Sequence, residues 1–286
     1  MAFLGRFKSG SAAKKLDVKA QFDVLGDPHP GRKSTVYRVR DRNTREEFAL
    51  KILDAKKTAE YEARFKGMDK PTEGEIASKF DHRFICKTIQ FGKTSEGSPY
   101  LLLELLGASL KYIIGIGEKV LAGRRLKYLR QAGEALETVH KTGFIHRDIS
   151  PRNFLFTEDG EVLKLTDFGY AVPATGRFLE PGNRTGTPEY MAPELIRLHR
   201  TDHRLDVFAF GIVAYEMFAF KHPWGHSVTG AVWHANPPTD IREYRPEIEP
   251  HLAELIMSTI QPDVTKRCPS MGQFLNALRR VEKETV

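Results

Sequence analysis

The sequence changes texture near Gly107, from strand-forming to helix-forming residues. From Phe22 onward the chain strings together short runs rich in β-branched and aromatic residues: FDVLG, STVYRVRD, EEFALKIL, ICKTIQFG and PYLLLELL. Turn formers such as Asp27-Pro28, Asn43, Gly92 and Gly97-Ser98-Pro99 separate them. The pattern predicts a small antiparallel sheet, interrupted by one helix at roughly Thr72 to Phe80 with Pro71 and Thr72 as start signals. After Gly107 the spacing turns helical, over Leu110 to Gly117 and then Leu121 to Thr142. In the longer segment Leu126, Leu129, Ala132, Ala135, Leu136 and Val139 recur at helical intervals. Two short strands, FLFT and VLKLT, flank the turn Glu158-Asp159-Gly160, and helices resume from Ala192 to Val281. This order predicts an α+β fold of two lobes: a sheet-rich part at residues 21–105 and a larger, mostly helical part at 106–286. Residues 1–20 are small, basic and weakly patterned, as in a flexible arm.

Several function classes recede at this stage. The longest apolar stretch, Phe208 to Phe220, has 13 residues and contains Glu216, short of the ~18–20 that a spanning helix needs, so it predicts a helix buried on all sides. The opening MAFLGRFKSGSAAKKL has no apolar block of signal-peptide length, and Ala2 stands where N-myristoylation requires glycine. No transmembrane segment and a cytoplasmic location are therefore expected. Cys86 and Cys268 lack metal-ligand spacing and make no disulfide framework. Of the formal charge of +7, the arm carries +4, because Arg6, Lys8, Lys14, Lys15 and Lys19 face only Asp17. The basic pI of about 9.3 thus says little about the folded part. With no zinc finger, RNA-binding aromatic motif or long basic run, no nucleic-acid partner is expected. With Phe3, Leu4 and Phe7, the arm reads as a disordered tail, with contact to anionic lipid or an acidic partner as the alternative.

Five short motifs occur in a fixed order: Ala49-Leu50-Lys51 on an expected strand, IHRDISPRNFL at Ile145 to Leu155, LTDFG at Leu165 to Gly169, GTPEYMAPE at Gly186 to Glu194, and DVFAFG at Asp206 to Gly211. Together they resemble the protein kinase superfamily, of the eukaryotic-like serine/threonine type, over residues 22 to 280. The resemblance implies one kinase domain at 21–282 and transfer of the ATP γ-phosphoryl group to serine or threonine hydroxyls of a protein substrate, with Mg²⁺ as cofactor. By that resemblance Lys51 contacts the α- and β-phosphates and is held by Glu73, with Glu75 as the runner-up. Asp148 accepts the substrate hydroxyl proton, while Asn153 and Asp167 hold the metal, as hard oxygen donors suit Mg²⁺. Gly26, Gly31, Ser34, Val36, Ala49, Lys51, Glu104, Leu106 and Leu155 match nucleotide-binding positions, Glu104 to Leu106 being the hinge and Leu103 the gatekeeper. Glu194 with Arg267, and Asp206 beneath His146-Arg147, match scaffold positions.

The departures are informative too. Three inserted residues spread the first two glycines of the glycine-rich loop, Ser34 replaces the third, and Pro28 and Pro30 offer no N–H to a phosphate. Ser150 stands where serine/threonine kinases usually carry lysine, and Arg152 is expected to supply the missing positive charge. Arginine-rich substrates are then not preferred. Gly186-Thr187-Pro188-Glu189-Tyr190 favours the serine/threonine class over a dual-specificity or tyrosine kinase. By the same resemblance His146 and Phe168 match two members of the family's apolar column and the small residues Ala77 and Thr88 match its upper members, which with the altered loop leaves a nucleotide- or partner-binding pseudokinase as the alternative. Autophosphorylation is expected on Thr185 or Thr175, the usual primary position being Asn183.

Overall fold

A computed structural model describes residues 15–182, 184–225 and 237–285. The chain divides into two compact units, with the boundary between Leu106 and Gly107.

The first unit is built on a five-stranded antiparallel sheet in the order β1-β2-β3-β5-β4. Its strands are β1 Phe22–Pro30, β2 Ser34–Asp41, β3 Glu47–Leu53, β4 Thr88–Lys93 and β5 Pro99–Glu104. Successive side chains of a strand point to opposite faces. One face therefore gathers Phe22, Val39, Leu50, Tyr100 and Leu102 into a core, and the other carries Val36, Ala49, Lys51, Leu101 and Leu103. The register sets Val36 opposite Lys51, Lys51 opposite Leu101, and Ala49 opposite Leu103.

Asp27-Pro28, expected as a turn, lies inside β1. The strand bulges between Leu25 and His29, where Gly26 takes φ +69°, a conformation that costs a glycine nothing. Two prolines are tolerated because β1 is an edge strand, so their missing N–H groups break no ladder. The expected arm also ends sooner than residue 20. Leu16 is only 5% exposed and joins the sheet core, its N–H donating to the Lys93 carbonyl and its carbonyl accepting from Ser95. The short helix α1, Val18–Gln21, is capped by Asp17. Arm residues 1–14 lie outside the described residues.

Two helices cross between β3 and β4. α2, Ala55–Glu62, was not anticipated; the Asp54 side chain caps it, and only Tyr61 is buried. α3, Glu73–Ala77, lies within the expected span. It begins at a capping box in which Thr72 accepts from the Glu75 N–H and the Glu75 carboxylate accepts from the Thr72 N–H.

The second unit is mostly helical. α4, Leu110–Ile116, falls on the expected helix Leu110–Gly117, whereas the expected helix Leu121–Thr142 starts late: α5, Glu118–Leu121, ends at its first residue and α6, Arg125–Lys141, makes up the rest. The break contains Gly123 at φ +71°. The strands are β6 Phe144–Ile145, β7 Phe154–Phe156, β8 Leu163–Leu165 and β9 Val172–Pro173, with β6 paired to β9 and β7 to β8. The Gln131 amide on α6 secures the β7–β8 hairpin, accepting from Leu163 N–H and donating to the Glu161 carbonyl.

After α7, Pro193–Ile196, comes α8, Arg204–Ala219, buried from Leu205 to Ala219, its apolar residues on every side and Asp206 and Glu216 buried among them. Gly211 allows α9, Pro250–Thr259, to approach closely: a Cβ there would lie 2.0 Å from Thr259 Oγ1. α10, Met271–Leu278, completes the bundle. The fold runs past the expected domain end at 282, since Glu284 caps α6 through the Leu126 N–H and pairs with buried Arg125. No helix among the described residues is long and apolar enough to cross a membrane.

Candidate active site

In the first unit the sheet face bearing Val36 and Ala49 also presents Lys51, and α3 delivers Glu73 to it. Lys51 Nζ donates to Glu73 Oε1 at 2.6 Å, and both residues are buried. Gly74 makes this possible. A Cβ there would lie 2.5 Å from the Phe91 ring on β4, so only glycine lets α3 pack this closely to the sheet. The capping box occupies Glu75, holding its carboxyl below the usual range through the Thr72 backbone N–H, and so leaves Glu73 as the partner of Lys51.

The glycine-rich segment is a tight hairpin. Gly31 N–H donates to the Ser34 carbonyl at 2.7 Å, while the turn carbonyls of Arg32 and Lys33 accept from Lys57 Nζ and the Asp54 N–H. The Gly31 amide is thereby committed to the hairpin. Glu104 receives the Lys87 N–H on its side chain at 2.6 Å, and Leu103 and Leu106 are half-buried. Ala77 is buried, and the buried Thr88 hydroxyl makes no hydrogen bond among the described residues.

In the second unit the chemistry converges on Asp148. Its Oδ1 accepts from Thr187 Oγ1 at 2.8 Å, and its Oδ2 accepts from Asn153 Nδ2 at 3.0 Å. The same amide nitrogen donates to the Asp148 carbonyl at 2.7 Å. The five-residue spacing read in the sequence is thus the span of a loop closed by one amide, which leaves the Asn153 Oδ1 lone pairs for a ligand. Burial, then repulsion from the Asp167 carboxylate, pushes the Asp148 carboxyl up, against the pull of the Thr187 and Asn153 hydrogen bonds. Asp167 and Arg147 both hold positive φ, +64° and +67°, which is uncommon outside glycine and recurs at functional sites.

Asp206 at the start of α8 supports this backbone. Fully buried, its Oδ2 and Oδ1 accept the N–H groups of His146 (2.7 Å) and Arg147 (2.8 Å), and His140 Nε2 lies 3.0 Å from Oδ2. Burial alone would raise its carboxyl; the hydrogen bonds from the His140 ring and the His146 backbone N–H outweigh that and hold it low. The His146 ring packs edge-on against Phe168 at 5.0 Å. Its Nδ1 accepts from the Asp148 N–H, so Nε2 carries the proton donated to the Thr166 carbonyl. Gly186, at φ +118°, passes so close that a Cβ would lie 2.5 Å from the Arg147 carbonyl, which brings Thr187 to Asp148. Glu194 and Arg267 form a buried two-pronged pair at 2.7 and 3.0 Å.

Other expected residues are placed differently. Arg152 is exposed and makes no hydrogen bond to Asp148 or Asn153. Ser150 is buried, with its hydroxyl unpartnered among the described residues. Leu155 is half-buried in the middle of β7, facing away from the core that takes Phe154 and Phe156. Thr185 is buried and Thr175 exposed, and Asn183 lies outside the described residues. No group of three His, Cys, Asp or Glu suited to a metal is present among the described residues. Asn153 and Asp167 instead offer a partial oxygen set, suited to an ion that keeps waters and phosphate oxygens as further ligands. The mutual repulsion of Asp148 and Asp167 is what such a cation relieves.

A family model described as protein kinase domain matches residues 23–277. Among curated relatives, a probable serine/threonine-protein kinase of Clostridium perfringens, CPE1738, is 31% identical over 274 residues, covering 92% of this chain and 38% of the relative. The serine/threonine-protein kinase PknA of Mycobacterium tuberculosis is 30% identical over 247 residues, 82% of this chain and 54% of the relative. The serine/threonine-protein kinase pkn3 of Myxococcus xanthus is 30% identical over 229 residues, 74% and 41% respectively. The chain thus spans about half the length, or less, of these relatives.

Proposed function

The chain belongs to the protein kinase domain family, and we propose that it transfers the γ-phosphoryl group of ATP to serine and threonine hydroxyls of proteins. The observation that carries this reading is the constellation of Asp148, Asn153 and Thr187, closed by three hydrogen bonds and braced from below by Asp206. Phosphoryl transfer asks mainly for positioning and charge neutralisation. Asp148 orients the acceptor hydroxyl and takes its proton; Thr187 and Asn153 fix the carboxylate in the rotamer that does so. Lys51, held by Glu73, neutralises the α- and β-phosphates. Asn153 and Asp167 hold Mg²⁺, which when bound neutralises phosphate charge.

In the first unit Val36, Ala49, Glu104 and Leu106 contribute to nucleotide binding, with Gly26, Gly31 and Ser34 shaping the hairpin, and in the second unit Leu155 contributes as well. Thr175, exposed on the activation segment, is the better autophosphorylation site, because the Thr185 hydroxyl is buried. The committed Gly31 amide favours, as a second reading, nucleotide binding with slow transfer. The test is incubation of the purified chain with γ-labelled ATP, Mg²⁺ and a generic protein substrate, followed by phosphoamino-acid analysis. Label on serine and threonine supports the proposal. Label on tyrosine alone, or none, rejects it.

A further inference from the structure

An acceptor segment whose hydroxyl reaches Asp148 must run over the side chains around that residue, so the exposed charges there decide which sequences are tolerated. Asp148, Thr187 and Tyr190 line one small cavity of the second unit. Beside it, Pro151–Asn153 form a short 3-10 turn against which α4 packs. α4 is tethered there, since the Phe156 N–H donates to the Ala108 carbonyl, and Ser109 bridges Leu155. Two cations project from these elements, Arg152 from the turn and Lys111 from the first turn of α4. Both are exposed, and neither enters a salt bridge among the described residues.

The carboxylates nearby are less available. Glu216 is buried, and its Oε2 accepts the Tyr190 hydroxyl at 2.6 Å. Glu189 is half-buried, and its charge acts on the Tyr190 hydroxyl and His222 as well. The surroundings feel the two cations: the Arg152 charge acts on the Tyr190 hydroxyl, and the Lys111 charge on Glu216 and His222.

We propose that Arg152 and Lys111 form a specificity surface that selects acceptor segments carrying aspartate or glutamate near the phosphorylated residue. This rests on the kinase reading and deepens it by naming the substrate class: acidic polypeptide. It also reassigns Arg152 from the transferred phosphate to the polypeptide. An unpaired guanidinium and an unpaired ammonium on one surface repel a basic segment and each offer an acidic one an exposed ion pair. Such pairs change affinity by about 1.5- to 5-fold each and weaken with salt.

The test uses the full chain and three peptides with one serine each, flanked by acidic, neutral or basic residues. Initial rates are compared at low and high ionic strength for the wild type, Lys111→Glu and Arg152→Glu. The expected result is acidic over neutral over basic, a preference that shrinks with salt and is reduced or reversed by Lys111→Glu. Transfer with no charge preference, a preference for the basic peptide, or an unchanged acidic-to-basic ratio in Lys111→Glu overturns the proposal while leaving the kinase reading intact. Transfer to none of the peptides and none to the chain itself overturns both.

Discussion

Replacing Asp206 should disable the catalytic loop from below, without touching any group that meets substrate. In the folded chain its two oxygens take the N–H groups of His146 and Arg147 at 2.7 and 2.8 Å, in a site with no solvent exposure. Asp206→Ala leaves both donors buried without partners, at about 1–3 kcal/mol each, or about 2–6 kcal/mol together. At about 2–4 °C per kcal/mol for a chain of this class, a mid-range cost of ~4 kcal/mol lowers Tm by about 8–16 °C. Asp206→Asn keeps one acceptor oxygen and should lose about half as much. Arg147, at φ +67°, is then free to relax, and Asp148 moves with it, so transfer should fall about a hundredfold, the order of cost for a displaced reacting group. The pH dependence has a definite sign. The folded carboxyl lies below its unfolded value of 3.8, so its contribution is present above that pH and is lost as pH falls through the lower folded value. The Tm gap between wild type and Asp206→Asn, followed by circular dichroism, should therefore persist to about pH 4 and close only below it. A gap that closes between pH 7 and 5, or an Asp206→Ala protein that melts within about 2 °C of wild type with unaltered turnover, would show that Asp206 does not brace the loop.

Three further substitutions probe other links. Glu73→Gln should lower kcat/KM by about a hundredfold by releasing Lys51, whereas Glu75→Gln should weaken only the α3 cap, by about 0.5–2 kcal/mol, with turnover of the folded enzyme kept; equal kinetic effects would contradict this assignment. Arg267→Ala strands Glu194 in the interior at about 3–5 kcal/mol, and Glu194→Leu with Arg267→Met should recover much of that in denaturant melts; no recovery would count against an uncompensated charge as the cause. Leu16→Ala should cost about 2–5 kcal/mol, while Val24→Ala, at a side chain 50% exposed on the same sheet, should cost under about 0.5; similar values would remove Leu16 from the core.

Much of the second unit was legible because its spacings are those of closed loops. One amide spans Asp148 to Asn153, and α8 is apolar on every side because every side is covered. Asp206 was reached only by resemblance: it acts on residues 60 and 59 positions upstream, and no local pattern encodes a contact that long. The choice between Glu73 and Glu75 has a local signal, the Thr72-x-x-Glu75 capping box, which occupies Glu75 without any long-range contact. α2 escaped because it buries only Tyr61 and so shows no apolar stripe. Asp27-Pro28 reads as a turn because sheet position is invisible in sequence, and an edge strand forgives what a central one does not. Arg152 matched a family position for phosphate charge, but its exposure depends on how the turn at Pro151–Asn153 sits against α4, a tertiary fact.

Single-turnover transfer from γ-labelled ATP with Mg²⁺, comparing wild type with Asp148→Asn while nucleotide affinity is measured separately, decides whether Asp148 drives phosphoryl transfer to protein. Label on protein serine or threonine is expected in the wild type, and in Asp148→Asn a rate reduced by at least about a hundredfold, the lower end for losing a positioned acid–base group, with nucleotide affinity within a few fold. Equal transfer by both proteins, or none by the wild type despite bound nucleotide, would rule out that role.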